Sequence, residues 1–288
     1  MIRESLREHL RTLEVPVIKT HPCANPQCQR RTRPWQGYVG AGRQFYFGNA
    51  WCCSPECFQA AACHSICRVI AEPRRARSRG HRLPLGLSLL SQGLVDQDAL
   101  RDALELQRTH KQGRIGDWLQ KLGVVNEQQI TESVARQWNC AVYPLRSDNL
   151  DSETAHLVPY PVLKSLKMLP VHHSLHARSV HIAFCQAVDY SALHAVEQML
   201  DVKTVACFAQ ESEINSALQR FAEHPRPFLR VAQESCEARE IARLCRIHFL
   251  QADGKDAKVL RCGPYLWVRI LAKEPVDLLF RNQWLSRA

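Results

Sequence analysis

Thirteen cysteines are distributed along the chain, and two pairs of them have a spacing that suits metal chemistry. Cys23 and Cys28 are separated by four residues, Cys53 and Cys57 by three, with 24 residues between the pairs. Two short pairs on two turns bring four thiolates to one tetrahedral zinc, at about 2.3 Å per bond. The second pair lies in NAWCCSPECF, a knuckle that leads into FQAAACHSICRVI, which reads as a helix. We therefore expect Cys23, Cys28, Cys53 and Cys57 to form one structural zinc site. Cys52 competes with Cys53 for the ligand position. Cys63 and Cys67, one helical turn apart with His64 beside them, either join a metal site or pack as small apolar side chains. A closed set of four thiolates leaves no open coordination position, so it argues for structure and against metal catalysis. Cys140, Cys185, Cys207, Cys236, Cys245 and Cys262 stand singly and read as packing residues.

The second group of candidate residues comes from an internal repeat. PLGLSLLSQGLVDQDALRDALELQ (84–107) and RIGDWLQKLGVVNEQQITESVARQ (114–137) are both 24 residues long and are separated by RTHKQG. Gly occupies positions three and ten of both, as Gly86 and Gly93, then Gly116 and Gly123. Aliphatics match at positions two, six, eleven, twelve, seventeen and twenty-one, and Gln107 and Gln137 close the units. Such a repeat means one supersecondary unit used twice. It predicts a short helix, a Gly-marked turn and a longer helix in each copy. Gly93 suits the left-handed turn that ends the first helix, and Asp96 and Asn126 suit the N-caps of the longer ones. Two copies make a four-helix array, either for packing alone or for a pseudo-two-fold ligand. In the ligand reading, Gly86 and Gly116 admit close approach, positions seventeen and twenty-one sandwich a flat ring, and Arg114 forks onto a guanine edge or a phosphate. Asp117 accepts from a guanine amino group.

These residues need elements to hold them. Residues 2–14 have the spacing of a short amphipathic helix, through Ile2, Leu6, Leu10 and Leu13. The expected organisation is a helix plus zinc-binding module over 1–71 and a basic linker, EPRRARSRGHR, over 72–82. Residues 83–222 follow, as helical repeats (83–139) and an α/β part (140–222), and then a C-terminal helix and strands over 228–288. Strands are expected at Met168–Val171, 179–185 and 204–209, alternating with helices at 191–200 and 211–221. A helix over Glu234–Ile247 precedes strands around HFLQAD, KVLRCG, YLWVRIL and VDLLF. The fold class is α+β: a four-cysteine zinc module, a helical tandem-repeat array with a small α/β subdomain, and a C-terminal helix with antiparallel strands. With 288 residues, 45% hydrophobic and 23% charged, the composition is that of a globular protein. No apolar run reaches the roughly 20 residues that span a bilayer, and the charged N-terminus does not read as a signal peptide. A cytoplasmic location is expected. The net charge of +10 favours anionic partners.

The doubled pattern R-L-G-x-x-L-x-x-x-G-L-I-x4-L-x3-L-x2-Q resembles the N-terminal cyclic-di-GMP-binding domain, of MshEN type, found in type II secretion and type IV pilus assembly ATPases. LDSETAHLVPYPVLKSLKMLPV and SVHIAFCQAVDYSALHAVEQML resemble later stretches of that domain, so the likeness covers about residues 82–222. The resemblance implies a dinucleotide lying across the paired repeats. Arg at position one and Gln at position twenty-four bond guanine or phosphate, and positions two, seventeen and twenty-one pack on the bases. Carried onto this chain, the second repeat supplies Arg114, Ile115, Gly116, Asp117, Ile130, Val134 and Gln137. The first supplies Leu85, Gly86, Leu100, Leu104 and Gln107. The chain departs from the pattern at Pro84, which stands where the first repeat has Arg (Arg82 is two residues upstream), at the β-branched Ile130 and Val134, and in a six-residue spacer.

The chain has no G-x4-G-K-[ST] phosphate loop, because its Gly254–Lys255 is followed by Asp. His172, His173 and His181 read as surface or packing residues. The expected function is a non-enzymatic regulatory or adaptor protein that binds cyclic-di-GMP, holds structural zinc, and contacts a protein of a secretion, pilus or envelope machine. The alternatives are a ligand-free scaffold docking to such a secretion, pilus or polysaccharide export machine, and a nucleic-acid binder. The last would use the zinc module, Arg74–Arg82 and the stacking candidates Trp35, Tyr38, Phe45 and Tyr46.

Overall fold

The computed structural model describes residues 23–28, 44–72, 82–145, 151–222, 229–232 and 237–281. The helix expected over 2–14, most of the basic linker and Cys236 lie outside the described residues.

The cysteine-bearing hairpin and the C-terminal strands, expected as separate modules, share one sheet. Strands β1 (Phe45–Phe47) and β2 (Ala50–Cys52) pair antiparallel and lead into helix α1 (Pro55–Ala71). At the other end of the chain follow β7 (Leu229–Ala232), helix α10 (Ala238–Gln251), β8 (Asp256–Cys262), β9 (Tyr265–Leu271) and β10 (Val276–Arg281). The sheet order is β2-β1-β8-β9-β10-β7, with β1 parallel to β8. Asp256 fixes that junction: its carboxylate accepts from the Asn49 N–H at 3.2 Å, across 207 residues of sequence. The helix expected to end at Ile247 continues through His248–Gln251, where a strand was expected. Ile241, Ala242, Cys245 and Phe249 are buried at helical spacing, and Phe249 stacks on Phe58 of α1 with ring centroids 4.3 Å apart. The strand-forming character of His248-Phe249-Leu250 is overridden by this helix–helix contact.

Strands β9 and β10 are buried on both faces, so alternate residues enter two different cores. Leu266, Val268, Ile270, Val276, Leu278 and Phe280 face α1 and α10, together with Phe47, Ala257 and Val259. Cys262, Tyr265, Trp267 and Leu279 face the other way and join the core of the α/β part. Arg269 and Asp277 lie on that second face, directly paired across β9 and β10. Arg269 Nε meets Asp277 Oδ1 at 3.0 Å, and the same oxygen accepts from the Trp267 indole at 2.7 Å. An Arg269 Nη2 donates to the Leu157 carbonyl at 3.1 Å, tying the sheet to the neighbouring subdomain.

That subdomain is inserted between the two halves of the sheet. The repeats supply α2 (Leu85–Ser91), α3 (Gln97–His110), α4 (Ile115–Lys121) and α5 (Glu127–Trp138). The α/β part follows as β3 (Ala141–Val142), α6 (Ser152–Ala155), α7 (Tyr160–Leu166), β4 (Met168–Ser174), β5 (Ser179–Phe184), α8 (Tyr190–Leu200), β6 (Lys203–Phe208) and α9 (Glu211–Ala222). Its sheet has the order β3-β6-β5-β4, with β5 and β6 parallel across α8.

The buried Arg269–Asp277 pair yields a stability prediction. Asp277→Ala leaves a guanidinium buried without its carboxylate, and the expected loss is about 3–5 kcal/mol. The measurement is a urea unfolding curve. A loss below about 1 kcal/mol would instead describe a solvated surface pair.

Candidate functional site

The thiol cluster is built by local turns. Cys23 and Cys28 flank a turn in which the Cys28 N–H donates to the Asn25 carbonyl at 3.0 Å, and the Ala24 N–H pins this turn to Trp51 of β2 at 2.7 Å. Cys52 is the last residue of β2 and points into the core, so Cys53, of opposite parity, points away from it. Ser54 then caps α1, its Oγ accepting from the Cys57 N–H at 3.2 Å. The Sγ atoms of Cys23, Cys28, Cys53 and Cys57 all lie within 4.8 Å of one another, and the group can hold a metal ion. Burial raises the Cys23 and Cys53 thiols. Burial acts on Cys57 too, but hydrogen bonds from Asn25, Cys53, Cys28 and Ser54 outweigh it and bring that thiol down to about 7. Cys52, Cys63 and Cys67 are not part of the cluster: Cys52 and Cys63 pack in the core between α1 and the sheet, and Cys67 is exposed.

The repeats fold as the doubled sequence requires. Gly93 and Gly123 follow the short helices with φ of 69° and 71°, a left-handed turn that suits Gly. Asp96 and Asn126 cap the long helices, accepting from the N–H groups of Ala99 and Gln129. The copies then exchange partners. Helix α2 packs on α5 of the other repeat, and α4 on α3. Gln107 Nε2 donates to the Gly113 carbonyl at 3.0 Å, and Gln137 Nε2 donates to the Leu83 carbonyl at 2.7 Å. Each closing glutamine thus clasps the residue that precedes the other repeat. The glycines at position three sit at the crossing. A Cβ on Gly86 would lie 2.7 Å from Leu100 Cδ1, and one on Gly116 would lie 3.3 Å from Leu85 Cδ2 and 3.4 Å from Ile130 Cγ2. The space over these glycines is therefore filled by the chain's own side chains.

The symmetry breaks where the array meets the α/β part. Val134 is 7% exposed and belongs to the α/β core, whereas its counterpart Leu104 is 37% exposed. Leu100 and Leu104 line a shallow groove of about 250 Å³ with Leu90, Gln97, Arg101 and Arg108. Leu85, Ile115 and Ile130 are partly buried at the centre of the array. Arg82 does not stand free near the first repeat, because its guanidinium lies 3.4 Å from the centroid of the Trp138 ring.

Arg114 is already engaged. Its backbone N–H and an Nη donate to the Asp117 carboxylate at 3.0 and 3.1 Å, so both residues are spoken for within α4. The same Nη2 lies 2.5 Å from Glu211 Oε2, at the start of α9. Lys167 Nζ reaches Glu211 Oε1 at 2.6 Å, and Gln186 donates to it at 3.2 Å. Beside this cluster, Ser212 donates to Glu127 through both its N–H and its hydroxyl. Burial alone would raise the Glu211 carboxyl, but hydrogen bonds from Lys167 and Arg114, with their charges, hold it below the ordinary carboxylate range. The sequence placed Glu211 at a helix start and gave no sign of its partners. Lys167 and Gln186 carry no motif and were not singled out.

The chain is similar to known proteins over part of its length. Residues 138–227 match the family model of the MshEN domain. The type IV pilus assembly ATPase PilB of Myxococcus xanthus is 26% identical over 146 residues, which is 50% of this chain and 25% of that protein. PilB of Thermus thermophilus is 27% identical over 115 residues, or 40% of this chain and 13% of the relative. The chain therefore spans a quarter or less of the length of these ATPases, and is related to them over about half of its own. Among solved structures, that of MshE with cdg is 27% identical, covers 49% of this chain and 99% of that one, and has a TM-score of 0.42. The N-terminal domain of XpsE is 20% identical, covering 52% and 97%, with a TM-score of 0.36.

The Glu211 cluster has a pH signature. A carboxyl whose folded value lies below its unfolded one stabilises the fold above the unfolded value, near 4.3, and that contribution fades as pH falls through the folded value. Glu211→Gln is expected to lower the melting temperature at pH 7, with the gap from the parent closing below about pH 4. A pH-independent gap would mean that Glu211 acts by packing and not by charge.

Proposed function

We propose that this chain is a non-enzymatic regulatory or adaptor protein that binds cyclic-di-GMP on its tandem-repeat array and carries a structural zinc. The observation that bears most weight is the exchanged, pseudo-two-fold array closed by Gln107 and Gln137, which offers paired elements to a pseudo-symmetric dinucleotide. Arg114 and the two glutamines supply the polar contacts, with the glutamine Oε1 atoms as acceptors. Leu85, Leu100, Leu104, Ile115 and Ile130 supply apolar surface to the bases. The relation to pilus ATPases supports a protein partner in a secretion, pilus or envelope machine, and a cytoplasmic place of action. Among the described residues no helix is long and apolar enough to cross a membrane.

The thiol set fits zinc. A tetrahedron with bonds of about 2.3 Å has edges of about 3.8 Å. The Sγ contacts Cys28–Cys53 and Cys53–Cys57 measure 3.6 and 3.5 Å. Zinc bound there by Cys23, Cys28, Cys53 and Cys57 neutralises thiolates that otherwise repel one another, and locks the start of α1 to β2.

A specific observation favours a second reading, the ligand-free scaffold: Arg114 is paired and Val134 is buried. Calorimetric titration with cyclic-di-GMP separates the two. The expected result is saturable binding that Arg114→Ala weakens about ten-fold or more, the value of one charged hydrogen bond. No binding by the parent chain would select the scaffold. For the metal, elemental analysis is expected to give about one zinc per chain, lost in the Cys53→Ser, Cys57→Ser double variant. Retention of zinc by that variant would exclude this ligand set.

A further inference from the structure

We infer that Arg114 and Lys167 form a two-cation seat for a ligand phosphate across the boundary between array and α/β part, and that the Glu211 carboxylate occupies this seat in the unliganded chain. This rests on the cyclic-di-GMP reading and adds Lys167, Gln186 and Glu211 to the site.

The geometry is that of an anion held between cations. One carboxylate oxygen of Glu211 takes Arg114 Nη2 at 2.5 Å and the other takes Lys167 Nζ at 2.6 Å. Gln186 Nε2 adds donors to both oxygens, at 3.2 and 3.4 Å. Guanidinium, ammonium and amide thus converge on a point that holds a planar, singly charged group. A phosphate offers more acceptor oxygens to the same donors, and its tetrahedral shape suits cations arriving from two elements. Lys167 is the C-cap of α7, in a left-handed conformation with φ of 47°, and its Nζ reaches the same carboxylate that Arg114 of the array meets. The side chains of Arg114 and Lys167 are about half exposed, at 48% and 47%, so the seat opens to solvent. Glu211 is 25% exposed and sits between them.

The exchange is balanced in charge. Asp117 stays bound to Arg114 through the backbone and side-chain contacts of α4 and keeps the guanidinium oriented. A phosphodiester carries one negative charge, as does the carboxylate that it replaces. Binding therefore competes with an intramolecular ion pair and leaves no cation unpaired. Because Glu211 is the first residue of α9, its release acts directly on the junction where Ser212 meets Glu127. Ligand occupancy then reports to the α/β part through that helix.

The test is calorimetry with cyclic-di-GMP on the full chain and on Glu211→Gln, Lys167→Ala and Arg114→Ala, with thermal unfolding of each to establish that it is folded. Glu211→Gln is expected to bind about ten-fold more tightly, and Lys167→Ala about ten-fold more weakly. Binding by Glu211→Gln when the parent shows none also supports the occupied seat. Parent binding that both changes leave unaltered overturns the seat while the cyclic-di-GMP reading stands. Absence of binding in the parent and in Glu211→Gln alike overturns both. Tighter binding by Glu211→Gln without an effect of Lys167→Ala overturns Lys167 as a phosphate contact.

Discussion

Burial of the central strands β9 and β10 on both faces is the constraint on which the rest of this molecule depends. A sheet that faces solvent on one side alternates apolar and polar residues, and here β9 carries Leu266, Val268 and Ile270 to one helical layer and Tyr265 and Trp267 to another domain's core. Both sets of contacts must be satisfied together. The polar exception, Arg269 with Asp277, is tolerated because indole, carboxylate, guanidinium and the Leu157 carbonyl close a network within the buried layer. The same network fixes where the inserted subdomain sits.

The thiol cluster and the repeat array are consequences at two ends of this arrangement. The hairpin that supplies Cys53 is an edge of the sheet, and α1, which supplies Cys57, covers its face through Phe58, Ala62 and Ile66. Arg261 of β8 donates to the carbonyls of Val69 and Ile70, closing the far end of that helix. A metal held at the cluster would clamp one end of a helix whose other end is held by the C-terminal sheet. On the opposite face, the α/β core runs from Trp267 through Phe184 and Phe208 to Val134 of α5. Packing is continuous from the sheet to the repeats.

What could be read from the sequence was what is encoded locally. The position-ten glycines, the caps Asp96 and Asn126, and the four spaced cysteines each state a backbone or side-chain requirement within a few residues. Strands β4, β5 and β6 of the α/β part were legible from short apolar runs, as in SVHIAFC, whereas β3 was not. The pairing of β1 with β8 was not legible, because it is fixed by a backbone N–H to carboxylate hydrogen bond between Asn49 and Asp256, 207 residues apart, and neither has a distinctive neighbourhood. The continuation of α10 through Phe249 depended on Phe58, in another part of the chain. Glu211 had no motif, since a carboxylate at a helix start is an ordinary favourable placement. Its two cations come from segments 44 and 97 residues away.

The pseudo-symmetry of the array is broken where it meets the α/β part. Two identical repeats packed on each other have no preferred direction, and a pseudo-symmetric ligand between them would pull equally on both. Here the second repeat is fused to the α/β part by Val134, Ala135 and the Arg114–Glu211 contact, whereas the first keeps Leu87 and Leu104 exposed. The second repeat shares a core that is continuous to Trp267. At position twenty-one, Val134 is buried in the α/β core, whereas its counterpart Leu104 is exposed. The departures from exact repetition thus fall where the second repeat meets the α/β part.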